Sequence, residues 1–302
     1  MDLDTWACPV CFSPLAGDEE GLRCTKEGRR FSPRAGMPEL LRPEDAPLLT
    51  DSDAYADAWK LDALAPPKGS LLQLPYVRSR YWRPKARSLG FLLRTLGPPK
   101  GRKVADVGAG TGWLSYRLAE AGFRCFATDI SADEDVGLGA AVAYDGTAHR
   151  FERAIASLAR WPFRSSSLDI AVANASLHYL SDIRPAVLEA ARVLRADGVF
   201  VVMNDPVHRD LASADRAGRD FRSRMRRSGG HGRLVEHHRH FVASELEADL
   251  RSGFSSVTRR DPDYGAWFRV SRFLKEVLLR MELASFPLYV ARKAEDEGVG
   301  VR

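Results

Sequence analysis

A glycine-rich loop carries the clearest chemical signal in this sequence of 302 residues. Residues 106–112 read D-V-G-A-G-T-G and follow the apolar run Arg102–Val107, which predicts a strand that ends at the loop. Gly108, Gly110 and Gly112 allow the backbone to turn sharply and allow a ligand to approach the main chain closely. We therefore expect a ligand-binding turn between a strand and a helix.

An acidic residue ends the next predicted strand. Arg124–Thr128 is followed by Asp129, whose carboxylate can accept two hydrogen bonds from a ribose diol. The glycine spacing is G-x-G-x-G, which disfavours the G-x-G-x-x-G loop of nicotinamide-dependent dehydrogenases. The sequence contains no G-x-x-x-x-G-K-[ST], so a P-loop NTPase is excluded.

Three of the four cysteines lie near the start of the chain and have zinc-ligand spacing. Cys8 and Cys11 form a C-x-x-C pair. Cys24 stands where a second pair of zinc ligands would begin, but the position of its partner is not a cysteine. Glu27 occupies the position of the fourth ligand, followed by Gly28. Two interpretations stay open: zinc bound by three thiolates and one carboxylate, or a metal-free ribbon held by its own small core.

Strands and helices alternate after residue 100, which predicts an α/β fold with a parallel sheet. A helix between Tyr76 and Leu96 leads into this region. The predicted strands are Arg102–Val107, Arg124–Thr128, Leu168–Ala173, Gly198–Met203, Phe254–Arg259 and Phe286–Ala291. The predicted helices are Asp53–Leu64, Leu114–Ala121, a helix from near Ser181 to Leu194, Ala243–Leu250 and Val270–Ala284.

The motifs in combination resemble class I S-adenosylmethionine-dependent methyltransferases of the type 11 group. The matching segments are V-A-D-V-G-A-G-T-G, Asp129, W-P-F…L-D-I-A-V-A-N-A-S-L-H-Y-L and A-R-V-L-R-A-D-G-V-F-V-V. This resemblance implies a Rossmann-like seven-stranded sheet and S-adenosylmethionine as the cofactor. The first 42 residues resemble the small zinc-ribbon modules found alone or in front of methyltransferases, with Glu27 where those modules have their fourth cysteine.

The resemblance also implies roles for individual residues in cofactor binding. The glycines would border the methionine part, Asp129 would hold the ribose hydroxyls, Ile130 would contact the adenine and Asn174 would lie next to the sulfonium. Ser157 stands where the family often has an aspartate for the adenine amine. The implied cofactor-binding set is Asp106, Gly108, Ala109, Gly110, Gly112, Asp129, Ile130, Ser157, Leu158 and Asn174.

The sequence shows no catalytic triad and no paired carboxylates. An activated sulfonium needs chiefly a nucleophile held in line with its methyl group, so a base is required only for an acidic acceptor. His178 and Tyr179, just after the strand that carries Asn174, are the candidate catalytic residues. A purely structural role for His178 under the cofactor loop is the competing interpretation.

An insertion at about residues 206–242 is rich in histidine and arginine. Its central segment has apolar residues at near-helical spacing and six arginines between Arg216 and Arg227, which predicts an amphipathic lid helix. The arginines are interpreted as a solvated face or as a surface for an anionic substrate. A metal site formed by His237, His238 and His240 is the least favoured interpretation.

Composition adds limits on location and partners. A formal charge of +5 permits nucleic acid as a partner without indicating it. No apolar run approaches the roughly 20 residues that cross a bilayer, and the first residues lack the order of a signal peptide. We expect a soluble cytoplasmic protein with no membrane association, and its oligomeric state stays open.

These observations predict three segments: a zinc-ribbon-like module (1–42), a linker with a short helix (43–75) and a class I methyltransferase domain (76–302). The predicted function is transfer of a methyl group to a small molecule. The first alternative is a ribosomal or transfer RNA base, since a ribbon before a methyltransferase also resembles the ribosomal-RNA guanine methyltransferases. The alternative of another class is a non-catalytic binding subunit with the same fold.

Overall fold

The computed structural model describes residues 1–293 except 20, 62–64, 68, 80 and 280. Its strands are β1 Leu15–Asp18, β2 Gly21–Cys24, β3 Arg30–Phe31, β4 Pro33–Arg34, β5 Met37–Pro38, β6 Lys103–Val107, β7 Arg124–Asp129, β8 Glu152–Ile155, β9 Leu168–Asn174, β10 Leu194–Met203, β11 Val207–His208, β12 Phe241–Val242, β13 Ser256–Arg260 and β14 Leu288–Arg292. Its helices are α1 Pro47–Lys60, α2 Trp82–Leu96, α3 Trp113–Glu120, α4 Arg184–Val193, α5 Leu211–Arg227, α6 Arg233–Glu236, α7 Ala243–Arg251 and α8 Ala266–Leu279.

A seven-stranded sheet forms the centre of the fold, with the order β13-β14-β10-β9-β6-β7-β8. Strands β6 to β10 are parallel to one another, whereas β14 is antiparallel to both β10 and β13. The predicted Rossmann-like methyltransferase sheet is therefore confirmed, although the sheet is mixed rather than wholly parallel. The parallel arrangement brings the carboxyl ends of β6, β7, β9 and β10 to one edge, where ligands bind in such sheets.

The two faces of the sheet bury separate apolar clusters because side chains alternate along each strand. Ala105 and Phe126 pack on one face, and Val104 and Cys125 pack on the other. Cys125 is 4% exposed and behaves as a small core residue.

Several element boundaries differ from the sequence prediction. Helix α2 begins at Trp82 rather than near Tyr76. Helix α1 begins at Pro47 rather than Asp53, because a proline at the first helical position suits a helix start. The end of the predicted helix Asp53–Leu64 and the last residues of the predicted domain, 294–302, lie outside the described residues. Strand β8 was not predicted, since it is short and half of it is charged.

The N-terminal segment packs against the edge of the main sheet. Strands β1 to β3 form a small antiparallel sheet, and β4 pairs with β5. Glu39 then forms a parallel bridge with Ile155 of β8, and the Leu40 N–H donates to the Ile155 carbonyl across 2.8 Å. The segment thus covers part of an edge that would otherwise expose unpaired backbone groups.

Trp6 anchors this segment on the sheet. Its ring is fully buried, lies 4.7 Å from the Phe163 ring and 5.9 Å from the Phe126 ring, and donates from Nε1 to Glu152 across 2.6 Å. The first 42 residues therefore share the core of the sheet.

The insertion between β10 and α7 contains the predicted amphipathic helix, which is α5. It buries Ala214, Gly218 and Met225, and Met225 packs against Ala58 of α1 and Val235 of α6. In the described part of the chain, no helix combines the length and apolarity that a membrane crossing requires.

We expect Trp6→Ala to lower the free energy of unfolding of the whole protein by about 3–5 kcal/mol, as for other buried tryptophans. Chemical denaturation followed by fluorescence and circular dichroism measures this change. Val142→Ala, at a site that is 62% exposed, is the control and should change it by less than about 0.5 kcal/mol. An equally small effect of Trp6→Ala would contradict a shared core.

Candidate functional site

A cavity of about 920 Å³ opens at the carboxyl ends of the parallel strands. Helices α1, α2 and α5 cover it from outside the sheet. The predicted site residues that line the cavity are Gly108, Ala109, Gly110, Asp129, Ile130, Ser157, Leu158, Asn174, His178 and Tyr179.

The glycine loop has the backbone geometry that the sequence predicted. Gly108, Gly110 and Gly112 have φ values of 69°, 54° and 73°, which favour glycine. A Cβ atom on Gly108 would overlap the Cβ of Ser176. The loop therefore runs closely past the end of β9, and its bare backbone faces the cavity.

The carboxylate of Asp129 holds the loop in place. Oδ2 accepts the Gly110 N–H across 2.7 Å, and Oδ1 accepts the Ser131 N–H across 2.8 Å. Burial raises the pKa of Asp129, while backbone hydrogen bonds from Ser131, Gly110 and Ile130 oppose this rise. Each oxygen keeps a second lone pair, so the carboxylate can still accept a pair of neighbouring hydroxyls.

Two members of the implied cofactor set do not line the cavity. Gly112 begins α3, where a Cβ would lie 2.9 Å from the Phe151 ring, so it serves packing. Asp106 is fully buried, and its Oδ2 accepts the Ser115 hydroxyl across 2.8 Å. Burial raises the pKa of Asp106 to about 7. Its carboxylate thus joins β6 to α3 beneath the loop. Its Oδ1 has no hydrogen-bond partner among the residues that the structure describes.

A chain of three polar side chains closes one side of the cavity. Ser88 of α2 donates to Asn204 Oδ1 across 2.9 Å, and Asn204 Nδ2 donates to Asn174 Oδ1 across 2.8 Å. Asn204 and the neighbouring Ala175 have φ values of 61° and 55°, a region that is sparsely populated outside glycine and often found at functional sites. The chain fixes the tips of β9 and β10 against α2.

The two candidate catalytic residues have different surroundings. His178 Nδ1 lies 2.6 Å from Asp205 Oδ1, and both side chains are more than nine-tenths buried. Because Nδ1 is engaged, Nε2 is the ring nitrogen available to a molecule in the cavity. The Tyr179 hydroxyl is hydrogen-bonded to the Tyr55 hydroxyl, and burial raises the pKa of Tyr179 well above its usual value.

Several cavity residues were missed by sequence reasoning because they lie in the predicted linker or the helix after it. These residues are largely aromatic and comprise Tyr55, Trp59, Tyr81, Trp82 and Lys85. Tyr55 and Trp59 are one helical turn apart on α1 and their rings stack at 5.9 Å. That i, i+4 aromatic spacing is the signal that could have identified α1 as part of the site.

Three histidines of the insertion, His208, His238 and His240, pack together, and within the described part of the chain they do not form a group placed to hold a metal ion. His238 stacks on Phe221 at 3.5 Å, and His208 Nε2 lies 3.0 Å from His240 Nδ1. Burial lowers the pKa of His240 to about 3 and strongly lowers that of His238, so both rings are neutral at pH 7. His237 lines the cavity mouth.

The arginines of α5 lie mainly on its exposed faces. Arg226 pairs with Glu236, and Arg222 donates to the His238 carbonyl across 2.6 Å. Arg224 reaches the cavity mouth, whereas Arg219 lines a separate shallow groove on the outer surface. The geometry fits the interpretation of a mostly solvated face.

The three N-terminal cysteines come together, as their spacing predicted. The sulfur atoms of Cys8, Cys11 and Cys24 lie within 4.8 Å of one another, and Cys11 Sγ is 3.5 Å from Cys24 Sγ. The carboxylate of Glu27, the predicted fourth ligand, is not in this group and lies 3.8 Å from the Arg29 guanidinium. Glu27 contributes instead a backbone N–H to Cys24 Sγ at 3.4 Å.

The fold and the site together define a class: a Rossmann-like α/β protein with the fold of methyltransferases. Residues 105–202 match the family model of the methyltransferase domain. In structure, the chain is similar to geranyl diphosphate methyltransferase, solved in complex with GPP and sinefungin, with a TM-score of 0.56 and 15% identity. That alignment covers 81% of this chain and all of the other.

Curated relatives are similar over the same region. The chain is 34% identical to malonyl-[acyl-carrier protein] O-methyltransferase of Geobacter sulfurreducens, over 53% of this chain and 58% of that protein. It is also 34% identical to demethylmenaquinone methyltransferase of Mycolicibacterium paratuberculosis, over 41% of this chain and 48% of that protein. The chain thus spans about half the length of the curated relatives it matches.

We expect Gly108→Ala to weaken binding of S-adenosylhomocysteine about tenfold or more, since the added Cβ overlaps Ser176 and the left-handed backbone costs about 1–2 kcal/mol. Isothermal titration calorimetry measures the affinity. Gly146→Ala is the control, because nothing lies within 4 Å of its Cβ position. Adding Ser176→Gly to Gly108→Ala should restore part of the affinity, and unaltered binding by the single variant would contradict the assigned loop geometry.

Proposed function

We propose that this protein is an S-adenosylmethionine-dependent methyltransferase that acts on a small molecule. The observation that carries this proposal is the joint placement of the glycine loop, Asp129 and Asn174 around one cavity. The match of residues 105–202 to the methyltransferase domain supports it independently.

The residues of the cavity fit the cofactor. The loop presents backbone to the cavity, and a Cβ on Gly110 would meet no atom closer than the Val136 carbonyl oxygen at 4.0 Å. Asp129 retains lone pairs for two ribose hydroxyls. Ile130 and Leu158 supply apolar contacts for the adenine, and Ser157 stands nearby. When bound, the cofactor supplies an activated methyl group on a sulfonium, so this chain has mainly to bind, orient and exclude water.

The cavity favours a small acceptor with a large apolar part. Its roof consists of aromatic rings from α1 and α2, and α5 with Phe221 closes the outer side. The exposed arginines around Arg219 support the RNA alternative, but they face the outer groove rather than the cavity. A non-catalytic binding subunit would have no need for the polar groups beside the proposed sulfonium position.

His178 is proposed to receive the proton when the acceptor is a hydroxyl or another acidic nucleophile. Asp205 orients the ring through Nδ1 and stabilises the imidazolium that forms, which leaves Nε2 to face the acceptor. Tyr179 is proposed to support the ring, since its own ring centroid lies 4.3 Å from that of His178 and its hydroxyl is engaged by Tyr55.

We expect the purified protein to bind S-adenosylhomocysteine in an equimolar ratio and to transfer labelled methyl groups to members of a panel of apolar hydroxyl compounds. Calorimetry and scintillation counting measure the two steps, with total RNA as a parallel acceptor. His178→Gln should keep the cofactor affinity and lower methyl transfer about 10²- to 10⁴-fold, the usual contribution of a general base. Cofactor binding without transfer to any acceptor favours the binding subunit, and labelled RNA favours the RNA alternative.

The first 42 residues are proposed to form a zinc-binding ribbon-like module, followed by the linker 43–75 and the methyltransferase domain 76–302. A tetrahedral zinc ion with Zn–S bonds of about 2.3 Å holds its sulfurs about 3.8 Å apart. The sulfur atoms of Cys8, Cys11 and Cys24 are already close to that arrangement. Reduced thiols are the state expected in the cytoplasm, the proposed location.

We expect elemental analysis to find about one zinc ion per chain and Cys24→Ser to abolish it, because structural zinc is held by thiolates. Cys125→Ala is the matched control and should retain the metal, since this cysteine lies in the core of the main sheet. Glu27→Gln should also retain zinc, because its carboxylate faces Arg29. Metal-free protein from zinc-supplemented cultures would contradict the proposal.

A further inference from the structure

Helix α8 exposes an apolar face to solvent. Large apolar residues recur on it at positions i, i+3, i+4, i+7 and i+8, a spacing that places them in one stripe along a helix. The stripe comprises Val270, Phe273, Leu274, Val277 and Leu278. Their exposed fractions range from 50% at Val270 to 82% at Leu278. Single exposed apolar residues are common, whereas a continuous apolar patch marks an interaction site.

The charged side of the same helix faces the protein. Arg272 and Glu276 are one turn apart on the side opposite the stripe, and each side chain is 24% exposed. Arg272 donates to the Ala284 carbonyl across 3.0 Å. Glu276 accepts the Leu283 N–H across 3.1 Å. This arrangement reverses that of an ordinary surface helix, which turns its charges to water and its apolar side to the core. The chain after α8 thereby fixes the helix with its stripe outward.

Basic residues border the stripe on both sides. At 3.6 residues per turn, Arg269 lies along one edge of the stripe and Lys275 along the other, and both are exposed. Arg269 pairs with Asp263 at 2.8 Å, but such an exposed ion pair contributes little energy, so the base can turn to an anion outside the protein. Long basic side chains at these positions can reach charged headgroups while their stems stay beside apolar surface.

Two features of the stripe disfavour a second copy of this chain as its occupant. Both edges are basic, so a symmetric pairing of two α8 helices would bring like charges together. The stripe exposes roughly 500 Å² of apolar surface, whereas each partner in a stable dimer buries about 800 Å². An anionic lipid surface meets neither difficulty, because it takes up the apolar side of a helix and attracts the bases that border it.

The place of α8 in the fold is consistent with a lipid surface. Met281 and Phe286 follow the helix and line the cavity. Tyr264, just before the helix, donates to the Phe286 carbonyl across 2.7 Å. Both ends of the α8 segment are therefore tied to the wall of the cavity, and an acceptor with a large apolar part concentrates in a bilayer.

We propose that α8 binds the surface of an anionic bilayer, with its stripe in the acyl boundary and Arg269 and Lys275 among the headgroups. The supply of an acceptor from the bilayer rests on the proposed function, whereas the binding of lipid does not. The sequence predicts no membrane association because no segment is suited to cross a bilayer. A helix that lies on the surface needs no such segment.

Co-sedimentation of the full chain with extruded vesicles tests the proposal. The wild type should bind vesicles of equal parts phosphatidylcholine and phosphatidylglycerol, and bind pure phosphatidylcholine more weakly. Leu274→Ser combined with Leu278→Ser should lower the partition coefficient for the anionic vesicles at least about tenfold, because apolar surface is lost from the stripe. Leu188→Ser on α4 is the matched control, a leucine that is 55% exposed outside the stripe. It should stay within about twofold of the wild type, since a single exposed leucine is not a binding site.

A charge variant separates attraction by the headgroups from insertion of the stripe. Lys275→Gln should lower binding to the anionic vesicles about fivefold and leave binding to pure phosphatidylcholine within about twofold. Circular dichroism melting and titration with S-adenosylhomocysteine should give wild-type results for every variant, because the substituted side chains are exposed and lie outside the cavity.

Three outcomes would overturn the proposal. The first is a wild-type protein that does not sediment with anionic vesicles, and the second is an equal loss of binding in the Leu188→Ser control. The third is a dimer in sedimentation velocity that the double variant abolishes, without vesicle binding, which would assign the stripe to a second copy. A wild-type protein that binds vesicles but not S-adenosylhomocysteine would contradict the proposed function and leave the lipid surface supported.

Discussion

A hydrogen bond between the Asp129 carboxylate and the Gly110 N–H determines the geometry of the site. It joins the end of β7 to the loop after β6 across 2.7 Å, in the middle of the parallel part of the sheet. The loop can occupy this position because Gly108 has no side chain to collide with Ser176. The floor of the cavity is consequently made of backbone, and specificity depends on the side chains that surround it.

Those side chains come from distant parts of the chain. The polar chain from Ser88 to Asn174 ties α2 to the strand tips, while Tyr55 of α1 reaches Tyr179 beside the proposed catalytic histidine. The segment before α1 is fixed in turn by Trp6 and by the bridge between Glu39 and Ile155 at the sheet edge. The N-terminal segment thus supports the roof of the cavity as well as the sheet.

The sheet and the floor of the site were predictable from the sequence because they depend on local patterns. Apolar strands that end just before Gly108 and at Asp129 must meet at one edge when the strands are parallel. The roof was not predictable, since the docking of α1 and the burial of Lys85 depend on tertiary packing. The spacing of residues in the sequence does not predict where a side chain points either. Asp106 lies under the loop, and Glu27 faces Arg29 rather than the thiols.

The most direct test of the account is a crystal structure of the protein grown with saturating S-adenosylhomocysteine. We predict the ligand in the cavity, with its ribose hydroxyls on the Asp129 carboxylate, its adenine against Ile130 and its sulfur beside Asn174. A cavity without ligand under these conditions, or a ligand whose ribose lies away from Asp129, would contradict the account.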